Sequence, residues 1–334
     1  MQNHSQKMWT LLVHLSMHYG YKRYSSLPFD EGMWDWILEK SKESGINTIV
    51  LDVSDGVIFH SHPEIAMPGA WTGERVKAEL EKARKLGITL IPKLNFSAGH
   101  SLWLGKYSRM VSSEVYYRLC KDLITEIYAL FEQPEYIHIG MDEEDEEHAR
   151  YNPDGLGVFR FGELYWHDLR YLLDCVDSTG AKAWMWYDPT LISYERYLKT
   201  VDINKVVLSP WYYHTLQEEE FVPFDEYPWD KSPYAGLDLK YVEDIPKLKQ
   251  FRENIIPRLA DGHRYVPCTW ASVNRNTVNL MEYFAKGERY DQVIGHMVSV
   301  WCSTQWENRE VFENAFAEFF EGKAIVEQQM SHIR

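Results

Sequence analysis

Asp142 and Glu143 are the residues best placed by type and spacing to do chemistry. They follow Tyr136-Ile137-His138-Ile139-Gly140-Met141 directly, a short run with β-branched residues that reaches a glycine. Parallel barrels deliver their reactive groups at the C-terminal ends of strands. Two carboxylates at such an end form a candidate acid/base pair, and cleavage of a glycosidic bond is the chemistry that most often needs one. The plainer reading is a solvated acidic turn, because Glu144, Asp145, Glu146 and Glu147 continue the run. The pair alone does not decide between the two. The elements that would position it must.

A short apolar run followed by a helical period recurs along the whole chain. Strands are predicted at Trp9–Leu15, Thr48–Val53, Thr89–Phe96, Tyr136–Gly140, Lys182–Tyr187, Lys205–Trp211, Tyr265–Thr269 and Val293–Trp301. Helices are predicted at Asp30–Ser44, Thr72–Leu86, Ser113–Phe131, Phe161–Thr179, Tyr194–Thr200, Val242–Leu259, Asn276–Lys286 and Arg309–Phe320. Glycines stop several helices, as Gly45, Gly87 and Gly180 do. Eight such alternations predict an α/β fold, a (β/α)8 TIM barrel forming one domain over residues 1–334. A doubly wound sheet is the competing arrangement, but no glycine-rich phosphate loop follows the first strand. Residues 212–239 hold Pro223, Pro228 and Pro233 and read as a long ordered loop over the barrel mouth.

Composition narrows the partners. A formal net charge of −15 argues against nucleic acid and against an anionic membrane surface. Cys120, Cys175, Cys268 and Cys302 are scattered without metal-ligand or redox spacing, so no metal and no cofactor are expected. No apolar stretch approaches a membrane span, and Met8–Met17 reads as a strand and not as a leader, which together predict a cytoplasmic protein. The chain carries 13 Trp and 22 Tyr. Aromatic faces stack on the apolar C–H face of a pyranose, so a carbohydrate partner fits this composition, and exposed aromatics permit a homodimer.

In a barrel, the strand ends converge on one pocket. The second strand would bring Asp55, the third His100, and the fourth Asp142 and Glu143, with His138 in mid-strand. The fifth would bring Trp186 and Asp188, with Trp184 deeper on the same face. Trp211 and Tyr212 would come from the sixth strand, Trp270 from the seventh and Trp301 from the eighth. Barrel interiors call for apolar side chains, so polar groups at these positions point to function.

These residues carry a resemblance. His138-Ile139-Gly140-Met141-Asp142-Glu143 resembles the His-x-Gly-Gly-Asp-Glu signature of glycoside hydrolase family 20, the β-N-acetylhexosaminidases, and departs from it at Met141. Asn47, Asp55, Pro63 and Glu64 resemble the family's second strand and the turn after it. Ile91-Pro92 through Gly99-His100 is similar to its third strand. The resemblance is clearest over roughly residues 45–190.

It implies that Glu143 is the general acid and that Asp142 orients the substrate's 2-acetamido group, whose carbonyl oxygen attacks the anomeric carbon. It further implies that His100 and His138 support these carboxylates, that Trp186, Trp211 and Trp301 wall the pocket, and that Asp55 orders the second loop. The departures lie among sugar-hydroxyl contacts. Lys93 and Asn95 replace acidic residues, Cys268-Thr269-Trp270 replaces a Tyr-x-Asp, and Cys302-Ser303 replaces the end of a Trp-x-Glu. Asp188 and Tyr212 are candidates to replace those contacts. The expectation is therefore an exo-acting β-N-acetylhexosaminidase. The alternatives are a glycosidase for a sugar without the acetamido group and a non-catalytic sugar-binding barrel.

Overall fold

The computed structural model describes residues 7–17, 24–144, 158, 160–187, 194–213, 262–287 and 290–333. Among these residues, nine parallel strands form one curled sheet in the order β7-β6-β5-β4-β3-β2-β1-β9-β8, with helices between them, an α/β barrel-like arrangement. The strands are β1 Met8–His14, β2 Thr48–Asp52, β3 Thr89–Lys93, β4 Tyr136–His138 and β5 Lys182–Tyr187. They continue as β6 Val206–Pro210, β7 Arg264–Tyr265, β8 Cys268–Trp270 and β9 Gly295–Ser299. The seventh expected strand is thus split in two. Pro267 has no N–H to give the ladder, and Val266-Pro267 separates its halves. The first half pairs with β6 and the second with β9.

The helices form where their caps and faces say they should. Asp30 caps Glu31–Glu43 by accepting from the Met33 N–H at 2.8 Å. Thr72 and Ser113 do the same for Gly73–Lys85 and Glu114–Leu130. The last helix, Arg309–Ile333, runs well beyond the expected Phe320. Gly322 sits mid-helix, where an added Cβ would fall 2.6 Å from Met281 Sδ. It permits close helix packing instead of ending the helix. The expected helix Val242–Leu259 and the loop over residues 212–239 lie outside the described residues, apart from Tyr212 and Tyr213. Among the described residues no helix is long and apolar enough to cross a membrane.

Strand alternation creates two cores. Outward residues such as Leu11, Ile49, Leu51, Leu90 and Met185 join the helices in the larger one. Inward residues, including Leu12, Val50, Ile91, Trp184, Trp186 and Met297, form the smaller one. Strand register then corrects the expectation of a purely apolar interior. His14, Asp52, Lys93 and His138 are partners across β1 to β4, in line with Trp184 of β5. All four are 2% exposed or less. Lys93 Nζ donates to Asp52, whose other oxygen accepts from Ser54 Oγ at 2.8 Å, and His14 Nδ1 lies 3.6 Å from Asp52.

This buried row predicts acid lability. Burial alone would raise the Asp52 carboxyl; the Lys93 ammonium and the His14 ring outweigh burial and hold it well below its ordinary 3.8. Its stabilisation is present above 3.8 and is lost as pH falls through the lowered folded value. Burial also lowers His14, pushes His138 well below 6.5, and brings His296 down to about 3. Such histidines stay neutral when folded but charge at 6.5 when unfolded, so stability falls as pH drops from there. His296 alone should cost about 3 kcal/mol at a pH near 4. Asp142, raised by burial, works in the opposite direction. Urea midpoints should therefore fall between neutral pH and pH near 4, and a midpoint that rises on acidification would contradict this account.

Candidate active site

The turn after β4 is built on an unusual backbone. Gly140, Met141 and Glu143 have φ of 75°, 70° and 50°. Left-handed conformations at non-glycine residues cost of order 1–3 kcal/mol each and cluster at functional sites. Only glycine fits at 140, because an added Cβ would fall 2.1 Å from Asn95 Oδ1. His138 Nδ1 accepts from the Gly140 N–H at 3.1 Å. The expectation that His138 supports a carboxylate is thereby corrected, since its hydrogen bond goes to the turn backbone. The acceptor role of Nδ1 also places the proton of this neutral imidazole on Nε2.

His100 meets both carboxylates. Its Nε2 lies 2.6 Å from Glu143 Oε2 and 3.7 Å from Asp142 Oδ2. Asp142 is the more enclosed, with its side chain 10% exposed against 33% for Glu143. Burial pushes the Asp142 carboxyl up and the Glu143 charge adds to this, while His100 and Lys93 pull it down. Ser97 fixes Asp142 from the side. The Asp142 N–H donates to Ser97 Oγ at 2.9 Å, and that hydroxyl faces both Asp142 Oδ1 and Asn95 Oδ1. Ser97 was not among the expected site residues, and a lone serine two residues past Asn95 gives no sequence signal.

Glu144 is not part of a solvated acidic turn. It is fully buried and takes two bonds from Arg160, one of them from Nε at 3.1 Å. Arg160 also donates to Asp168 at 3.2 Å and to the Phe96 carbonyl at 2.7 Å, while Glu144 accepts from the Ala98 N–H at 2.7 Å. Arg160 thus ties the loop that carries His100 to the turn that carries Asp142 and Glu143.

The aromatic candidates gather around the same mouth. Trp186 is buried, with ring centroids 4.9 Å from His138, 6.0 Å from Trp211 and 5.9 Å from Trp301. Trp270 and Trp301 both neighbour Tyr213. Tyr212 is held by its backbone, its N–H to Cys268 O and its carbonyl to Asn276 Nδ2. Asp55 is buried and accepts from Ser16 Oγ, so it tethers the loop after β2 to the chain after β1. Asp188 lies outside the described residues. One atom each of His100, Asp142 and Glu143 lies within 4.8 Å of the others, so among the described residues this trio is the group that could hold a metal ion.

Solved structures supply the comparison. The fold is similar to a β-N-acetylhexosaminidase from Bacteroides fragilis, at 14% identity and a TM-score of 0.63 over 94% of this chain and 65% of the other. It is similar to an exo-β-N-acetylglucosaminidase of glycoside hydrolase family 20 from Vibrio harveyi, solved with N-acetylglucosamine, at 13% identity and a TM-score of 0.60 over 97% and 58%. Dispersin B matches over 96% of this chain and 98% of its own length, with 14% identity and a TM-score of 0.57. The chain therefore spans less than two thirds of the first two neighbours and nearly all of the third. No family model matches the chain, and no curated protein matches it. Likeness at this level of identity shows a shared fold.

Proposed function

We propose that this chain is a retaining, exo-acting glycoside hydrolase that cleaves terminal β-N-acetylhexosaminides. We read β7 and β8 as halves of one strand, which would close the sheet into a single-domain (β/α)8 barrel. The isolated bridges Trp211–Cys268 and Tyr265–Val293, at the two ends of the sheet order, support that reading.

The observation that carries the function is the spacing of the carboxylates. Their nearest oxygens lie within 4.8 Å, at the C-terminal end of β4 and bridged by His100. Retention follows from the proposed acetamido participation, in which attack by the carbonyl oxygen and then by water inverts the anomeric carbon twice. Glu143, the more exposed, gives its proton to the glycosidic oxygen as the bond to the anomeric carbon breaks. The acetamido carbonyl oxygen forms the new bond to that carbon, and Asp142 orients the acetamido group and balances the positive charge that develops on it. Glu143, now ionised, takes a proton from the water that opens the cyclic intermediate. Trp186, Trp211 and Trp301 wall the sugar.

Aryl N-acetyl-β-glucosaminide and galactosaminide should be hydrolysed, and the matching plain glucoside should not. A thiazoline mimic of the cyclic intermediate should inhibit. Cleavage of the plain glucoside with no thiazoline inhibition would replace acetamido participation by a protein nucleophile.

A further inference from the structure

Next to the carboxylates, the inner face of the sheet gathers buried hydrogen-bond donors. Among the described residues, His138 Nε2, Trp186 Nε1 and Trp301 Nε1 are buried polar atoms with no hydrogen-bond partner. His138 and Trp186 are 0% and 1% exposed. Each of these nitrogens carries a proton, the indoles by nature and His138 because its Nδ1 is already an acceptor. Lys93, 1% exposed, adds an ammonium with three donors, whose one hydrogen bond among the described residues goes to Asp52.

These groups adjoin one another. Lys93 and His138 are register partners, His138 contacts Trp186, and Trp186 contacts Trp301. Among the described residues, both oxygens of Asp52 are engaged by Lys93 and Ser54, and one oxygen of Asp55 by Ser16.

Buried polar groups are nearly always paired, and no described residue pairs these donors, which leaves them available to a ligand. A sugar hydroxyl suits them badly, because it brings a proton that also needs an acceptor. An amide carbonyl has two lone pairs for at least four donors. A carboxylate or sulfate brings acceptors alone, and charge-assisted hydrogen bonds from Lys93 would favour it further.

We infer that this donor cluster is an oxyanion subsite, so that the terminal sugar accepted over Asp142 and Glu143 carries a carboxylate or a sulfate ester. The inference rests on the glycosidase reading for the identity of the ligand as a sugar.

Calorimetry on the full chain tests it, with N-acetylglucosamine, its mono-O-sulfated forms and glucuronate as probes. An acidic sugar should bind at least tenfold more tightly than the neutral one, and the sulfate and carboxylate arms identify the oxyanion. Trp301→Phe removes one N–H and keeps an aromatic wall, and it should cut that preference at least threefold. Lys93→Met should cut it further. If Lys93→Met fails to fold, Trp186→Phe with Trp301→Phe carries the test. Equal affinity for neutral and acidic sugars, or a preference that these variants leave unmoved, overturns the subsite. Acidic sugars that bind while no aryl glycoside is cleaved would leave the subsite standing and remove the hydrolase. Efficient cleavage of neutral N-acetylhexosaminides with no preference for acidic forms would do the reverse.

Discussion

Glu143→Gln should lower kcat by roughly 10²–10⁴-fold, the range that general acid catalysis supplies. The amide keeps the size of the side chain and can still hydrogen-bond His100 Nε2, now 2.6 Å from the carboxylate. What it loses is a proton that can be given away. The loss should therefore depend on the leaving group, deepest for alkyl and glycan aglycones and shallowest for nitrophenolates, which depart without help. KM should change far less than kcat, because the proton is needed in the transition state more than in the ground state. Turnover of an alkyl glycoside that survives the substitution unchanged would remove Glu143 as the acid. Asp142→Asn provides the contrast. It should lower rates on all leaving groups alike, since that side chain is assigned to the acetamido group and not to the aglycone.

Arg160→Met should destabilise the fold by roughly 3–5 kcal/mol, the usual result of removing one partner from a buried ion pair. Arg160, Glu144 and Asp168 are all fully buried, and the substitution strands two carboxylates and the Phe96 carbonyl together. Asp168 keeps Tyr117 and Ser112 as donors, at 2.5 and 2.6 Å, so Glu144 is the group left most exposed to the loss. Adding Glu144→Gln to Arg160→Met should recover part of the stability. Chemical denaturation with both variants gives the coupling, and purely additive effects would contradict a direct pair. Because the same guanidinium joins the His100 loop to the carboxylate turn, kcat should also fall in any folded Arg160→Met protein.

How much of this was legible in the sequence depends on the distance over which each contact acts. The strand and helix alternation, the caps at Asp30, Thr72 and Ser113, and the position of Asp142-Glu143 at a strand end are local properties. Period, turn chemistry and capping express them within a few residues. The same local logic put Trp184 and Trp186 on one face and Met185 on the other, as the two cores bear out. It also erred for local reasons. Glu144 read as solvated because it sits in a run of acids, and the last helix was ended at Phe320 although it runs on to Ile333.

The charged row inside the barrel, the Arg160 tie and the Ser97 brace join residues 16 to 64 positions apart, and nothing in any one segment announces them. By itself the sequence determined that carboxylates would stand at the end of a parallel strand among aromatic rings, because residue type and alternation decide that much. Only the tertiary structure decided which carboxylate is enclosed, which is open beside His100, and which is locked away by Arg160. Burial and pairing are properties of neighbours brought together by the curling of the sheet.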